Sequence, residues 1–246
     1  ALALAGEAGV GDVRSLRHFR TLSGDHFLAV AIFDRGDPPS STTDVDSLVY
    51  LWNHDGWTVL ADGSRAWGLG FEPFQRLPTH GAVSFAHAQA GGVDYLAVAN
   101  FARTGAAWPP ATDGASEVFE FVRGKANPAY EQSFLRGRSG YFRSLQTLQT
   151  TGAWHVASFV LPGELGGAFL AFSERQAGSN HTGDESQYAG GGVSVYRHDE
   201  AAGVFALVQR IDGSDNETGL SIPHGSLTGG APPLPGGPPP PRARRW

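Results

Sequence analysis

The sequence predicts an all-β fold: a β-propeller, or partial propeller, of four-stranded antiparallel blades, with about three repeat units of ~70 residues. Three observations predict it. Gly 34 and Pro 16 are abundant while charged residues reach only 17%, a mixture that favours short strands and tight turns. No stretch keeps an apolar i, i+3, i+4 stripe long enough for a helix without a Gly or Pro interrupting it. A short apolar phrase, DYLAVANF at 94–101, recurs as HFLAVAIF at 26–33 and AFLAFSER at 168–175, each time before a long polar loop.

The elements follow in one order in each unit. A Gly-Ala landmark at Gly81-Ala82 returns as Gly152-Ala153 and, more loosely, as Gly11-Asp12, so the landmarks stand 70 and 71 residues apart. A first strand follows (16–21, 83–89, 155–161), then the apolar phrase as second strand. Its unbroken apolar character predicts a strand covered by blades on both sides. After the polar loop comes a third strand, SLVYLWN, SEVFEFV or GGVSVYR, in which Val49-Tyr50-Leu51-Trp52 and Val118-Phe119-Glu120-Phe121 are expected to alternate toward water. An aromatic-led strand, WTVLA, YEQSFL or FALVQRI, is expected to end each set. FEPFQRLPTHGA and FRSLQTLQTTGA are expected as one further copy leading into the next unit. A β-sandwich is the competing architecture, but it does not require a fixed period. The predicted boundaries are an N-terminal stub at 1–8, repeats at 9–80, 81–151 and 152–230, and a tail at 231–246.

Three of these segments carry a resemblance. Phe74-Gln75-Arg76-Leu77-Pro78-Thr79-His80-Gly81-Ala82, Tyr95-Leu96-Ala97-Val98-Ala99-Asn100 and Ser47-Leu48-Val49-Tyr50-Leu51-Trp52-Asn53 are similar to the motifs of the EPTP, or epilepsy-associated (EAR), repeat of secreted leucine-rich glioma-inactivated-type proteins. The resemblance spans roughly residues 9–215. It implies a propeller, usually seven-bladed, in an extracellular binding protein without a catalytic role. Three units cannot close seven blades, so the expectation is that further blades outside this chain, another copy of it or another subunit complete the ring; open strand edges are normally covered.

Composition removes several function classes. A net charge of −6 gives no reason to expect a nucleic-acid partner. With Cys 0, neither disulfides nor thiolate metal sites can form. No run of about 20 apolar residues predicts a membrane span. Met is also absent, which is read as a chain that begins after processing or is a fragment. Asn180-His181-Thr182 and Asn216-Glu217-Thr218 fit the glycosylation sequon, so Asn180 and Asn216 are candidate glycan sites.

No catalytic site is predicted. Nine histidines include no H-E-x-x-H or H-x-H grouping, and His80 and His155, near the blade entrances, are expected to make structural hydrogen bonds. Neither a G-x-S-x-G elbow nor a complete phosphate-binding loop occurs. No cofactor is expected, with calcium as the alternative: Asp212, Asp215 and Asn216 place oxygen ligands at short spacing in a Gly-containing loop. An Asx-rich turn explains the same residues without metal. Arg35-Gly36-Asp37 matches an integrin-binding tripeptide, which short matches often do by chance.

Binding is expected on the loops after each second strand, 34–46, 102–115 and 174–191, because long loops on a rigid scaffold carry recognition. The candidate interaction residues there are Asp37, Asp44, Asp46, Trp108, Asp113, Asp184 and Tyr188, with Trp108 and Tyr188 as aromatic anchors. The tail APPLPGGPPPPRARRW is expected as polyproline II, a spacer or docking ligand. The expected function is thus a non-enzymatic extracellular or cell-surface module contacting proteins or glycans, with a lectin-like or glycoside-acting propeller as the alternative.

Overall fold

The computed structural model describes residues 11–35, 42–54, 56–59, 65–67, 70–102, 114–124, 140–163, 166–174 and 191–212. None of these is helical, and twelve strands form three four-stranded antiparallel sheets. In the first sheet, β1 (Val13–Arg20), β2 (His26–Ile32) and β3 (Ser47–Asn53) are neighbours in order. A separate hairpin of β4 (Trp57–Val59) and β5 (Arg65–Trp67) intervenes before β6 (Gly70–Leu77) completes the sheet beside β3. The second sheet joins β7 (Ala82–Ala90), β8 (Val93–Asn100), β9 (Ser116–Arg123) and β10 (Gly140–Leu148). The third joins β11 (Ala153–Leu161), β12 (Gly167–Glu174), β13 (Gly192–Asp199) and β14 (Val204–Asp212). Each sheet is a blade in meander order. The blades pack in series, with β1 against β7 and β7 against β11. This is a partial propeller, not a two-sheet sandwich.

The apolar phrase turns out to alternate after all, between large and small side chains. Ala29 and Ala31 of blade 1 are buried with Leu96, Val98 and Phe119 of blade 2 in one core. Ala97 and Ala99 of blade 2 are buried with Leu170, Phe172 and Tyr196 of blade 3 in the next. Successive strand residues point to opposite faces. Each second strand therefore shows one aromatic residue followed by an alanine forward and Leu, Val, Ile or Phe backward, and beyond the aromatic a bulky face seats against a shallow one. The third strand of blade 1 is also covered on both faces, whereas β13 of blade 3 alternates between buried and part-exposed residues. Val49, Tyr50 and Leu51 are all buried, so the expected alternation toward water does not occur there.

The fourth strands correct the expected strand order. FEPFQRL and FRSLQTL are β6 and β10, the fourth strands of their own blades and not extra copies. WTV from WTVLA belongs to the β4–β5 hairpin, and YEQSFL lies outside the described residues. FALVQRI, in β14, is a fourth strand as expected. The long repeat period follows in blade 1 from chain inserted between third and fourth strands. All three fourth strands also share a β-bulge: Phe74, Leu145 and Val208 are the extra residues, each just before a glutamine.

Those glutamines join the blades. Gln75 Nε2 donates to the Phe142 carbonyl at 2.7 Å, and its Oε1 accepts from Phe142 N–H at 2.8 Å. One blade on, Gln146 grips Phe205 identically, at 2.8 and 2.9 Å. Each amide thus satisfies both backbone groups of one residue of the following blade. Gln146→Ala removes two hydrogen bonds and leaves the Phe205 peptide groups without them. The expected loss is about 2 kcal/mol of unfolding free energy, read by urea denaturation.

The landmark register shifts by one residue. Val13 pairs with Ile32 as Ala82 pairs with Asn100 and Ala153 with Glu174, so Asp12, not Gly11, stands where Gly81 and Gly152 stand. Gly11 is glycine for another reason: a Cβ there would lie 1.7 Å from the Asp34 carbonyl oxygen.

Candidate interaction face

The ends of the second strands, the starts of the third and the ends of the fourth meet at one rim, where the chain also enters the next blade. Ser47 pairs with Leu77 and Ser116 with Leu148, and Ala82 and Ala153 begin their strands a few residues on. The three long loops leave from this rim.

A hydroxyl pair locks it in two blades. Ser47 and Thr79 hydroxyls hydrogen-bond at 2.9 Å, and Thr79 also donates to the Val45 carbonyl at 2.6 Å. Ser116 and Thr150 repeat the pair at 2.8 Å. Ser47 and Ser116 further accept from the N–H groups of Ile32 and Asn100. All four side chains are buried, which is why the T-x-G-A motif needs a small polar residue at its first position. Its glycine, Gly81, has φ +63° and sits 3.2 Å (from an added Cβ) against the Ala102 Cβ, conditions only glycine meets without strain.

Asn100, the polar end of the apolar phrase, does not mark the chain leaving its neighbours. It is buried; its Oδ1 accepts from His80 N–H at 3.2 Å and its Nδ2 donates to the Ala115 carbonyl at 3.1 Å. Glu174 holds the equivalent Thr151 N–H at 3.1 Å. His80 has the structural role expected of it, its Nδ1 lying 2.7 Å from Asp44 Oδ1. Asp44 and His80 also form an isolated bridge, and Arg35 and Thr42 pair through both backbone groups at 3.0 Å. The first candidate loop is therefore pinned at its base by two backbone contacts.

Across this rim runs an aromatic row. Phe33 and Phe101 stand 5.8 Å apart, Trp154 meets Phe101 edge-on at 5.6 Å, and the Arg14 guanidinium lies 4.6 Å over Phe33. Arg14, Val83 and Trp154 are the bulge residues of the three first strands, so the same irregularity turns one side chain per blade onto the row.

The opposite rim holds a buried carboxylate that the sequence reading did not single out. Asp94 accepts from Leu22 N–H of blade 1 at 3.0 and 3.1 Å, from Gln89 Nε2 at 2.9 Å and from Arg123 Nη2 at 2.7 Å, with His87 Nε2 at 3.1 Å. Burial alone would raise its pKa. The hydrogen bonds from His87, Arg123, Gln89 and Leu22 outweigh it and bring the value down from 3.8 to about 2. Its partners lie up to 72 residues away, beyond any local pattern.

Asp44 and Asp46 are the interaction candidates that fall among the described residues, at the foot of the first loop, with Asp44 held by His80. Asp37, Trp108, Asp113, Asp184 and Tyr188 lie outside them, as do Asn180, Asp215 and Asn216. Asp212 ends β14, its backbone paired with Gly192. Among the described residues, no group of three His, Asp or Glu side chains is arranged to hold a metal ion. The strands run in the order fourth strand, T-x-G-A, first strand, apolar second strand, with the three candidate loops leaving one rim and the connections between third and fourth strands leaving the other.

That order decides the comparison with known families. Residues 70–116 match the EPTP domain. The matched EPTP span runs from β6 through β7 and β8 to the first residue of β9, so it straddles a blade boundary, with the T-x-G-A junction inside it. The motifs FQRLPTHGA and YLAVAN both lie within the EPTP span. No curated protein matches the chain at a significant level. Among the described residues no helix is long and apolar enough to cross a membrane.

Proposed function

We propose that this chain is a non-enzymatic, extracellular protein-interaction module that recruits its partner through the loops above the aromatic row. The EPTP match carries the reading, since that repeat builds β-propeller interaction modules. The chemistry of the rim supports it. The buried hydroxyls and Asn100 are engaged with one another and with the backbone, which leaves them to hold the scaffold and not to act on a substrate. Rigid blades under long loops are the arrangement in which loops vary for recognition while the frame stays fixed. The sequons at Asn180 and Asn216 fit passage through a secretory compartment and keep glycans on the third loop and the segment after β14.

The test is an array of extracellular proteins and, in parallel, of glycans, probed with chain secreted from eukaryotic cells. The expected result is binding to a protein target that Trp108→Ala with Tyr188→Ala reduces at least tenfold, with enzymatic deglycosylation lowering the mass of the secreted chain. Glycan binding with no protein target replaces this reading with a lectin-like one. Retention of full affinity by the double variant moves the site off these loops.

A further inference from the structure

The two blade junctions share the glutamine grip and differ in the rings beside it. At the first, Phe27 of blade 1 meets Phe121 and Phe142 of blade 2 edge-on, each at 5.6 Å. At the second, the strand registers put Tyr95 in the place of Phe27, with His198 and Phe205 in the places of Phe121 and Phe142. A tyrosine and a histidine thus stand where the first junction has two phenylalanines. Tyr95 Oη lies 3.0 Å from His198 Nε2, and the two rings are 5.2 Å apart.

His198 is only 6% exposed. Tyr95 of β8, Phe205 of β14 and the turn between β7 and β8 close around it; a Cβ on Gly91 of that turn would lie 3.8 Å from its Cε1. Its Nδ1 is buried and has no hydrogen-bond partner. A neutral imidazole has one N–H and one bare nitrogen. Assigning the proton to Nε2, which then donates to Tyr95 Oη, leaves Nδ1 as the bare nitrogen, the less costly arrangement. Imidazolium adds a second N–H with no acceptor, and a charge, inside the junction.

The groups that face the ring do not relieve that cost. Tyr95 stays neutral, its pKa raised by burial, and Glu120 beside it on β9 is held by Arg143. Phe205 and Gly91 bring no charge. Asp199 and Glu200, just beyond the ring on its own strand, are exposed, and Asp199 Oδ1 already accepts from the Ala201 and Ala202 N–H groups at 2.9 and 3.1 Å. Burial outweighs these two carboxylates and holds the His198 pKa below the ordinary 6.5.

We infer that proton uptake at His198 releases the joint between blades 2 and 3, while the phenylalanine-built joint between blades 1 and 2 holds. The stabilisation from the neutral ring is complete above the ordinary 6.5 and is lost as pH falls from there toward the lower folded value, because the opened form binds the proton first. β12 and β13 bracket the third candidate loop, so this release uncouples that loop from the first two. The inference is independent of what the loops bind.

Amide exchange followed by nuclear magnetic resonance tests it on the full chain, because single N–H groups report on each joint. Across the second joint, Val156 N–H is bonded to Ser84 Oγ and Phe205 N–H to Gln146 Oε1; across the first, Phe142 N–H is bonded to Gln75 Oε1. From about pH 7.5 to about pH 5, protection of Val156 and Phe205, corrected for intrinsic exchange, should fall at least about fivefold while that of Phe142 holds. His198→Phe, which copies the first joint, should abolish the fall. In the native chain the His198 ring resonance should titrate below 6.5. Titration at or above that value overturns the inference, even if the variant fails to fold. Retained protection at Val156 and Phe205 also overturns it, and equal loss at all three amides overturns its restriction to the second joint.

Discussion

Asp94→Ala lowers the unfolding free energy by about 4 kcal/mol, because it deletes a buried carboxylate on which two blades converge and strands its donors. The side chain is fully buried and ties the β1–β2 turn of blade 1 to β7, β8 and β9 of blade 2 through Leu22, His87, Gln89 and Arg123. The same site sets an acid limit. The folded carboxyl titrates at about 2 against the ordinary 3.8, so the stabilisation is complete above about pH 4. As pH falls from there toward 2 the unfolded chain binds the proton first, and roughly 2 kcal/mol of stability is lost. Thermal melts of the native protein should fall steeply over this window, and those of Asp94→Asn should fall less. Equal slopes for the two proteins would show that Asp94 is not the titrating group.

Phe27→Ala has the other large expected effect, again about 4 kcal/mol. Phe27 is among the largest fully buried side chains and touches four other rings, Phe19, Phe74, Phe121 and Phe142. Three strands of blade 1 and two of blade 2 are therefore in contact through one residue, and truncation opens a cavity at the junction that rigid strands cannot collapse to fill. Phe27→Leu keeps most of the volume and should cost about half as much. Urea denaturation of the two variants checks the order; a cost for the alanine below that for leucine would mean that the junction repacks freely.

The strands that bury themselves were legible in the sequence, and the partners of their polar groups were not. YLAVAN could be read as a covered second strand because the signal lies in consecutive residues, and the EPTP-like motifs lie on the same stretch. WTVLA misled because an aromatic-led apolar segment looks the same in an inserted hairpin as in a fourth strand; only pairing with β5 instead of β3 separates them. Gly11 misled because two adjacent positions, one constrained by a close carbonyl and one by register, both resemble the landmark. The glutamine of FEPFQRL, FRSLQTL and VFALVQRI was visible as a recurring letter, but its bond spans 67 residues to a backbone, and no pattern along the chain reports that. Asp94 opens the apolar phrase without a local signal, since its five contacts come from two other strands and a turn.

The inter-blade glutamine holds a peptide group, and every residue except proline offers the same peptide group. A blade set beside a new neighbour therefore needs no matched side chain at the point of grip, only a strand edge at the correct height. Tandem duplication of a coding segment, or its exchange between genes, would then yield a compatible joint at once, before any compensating change.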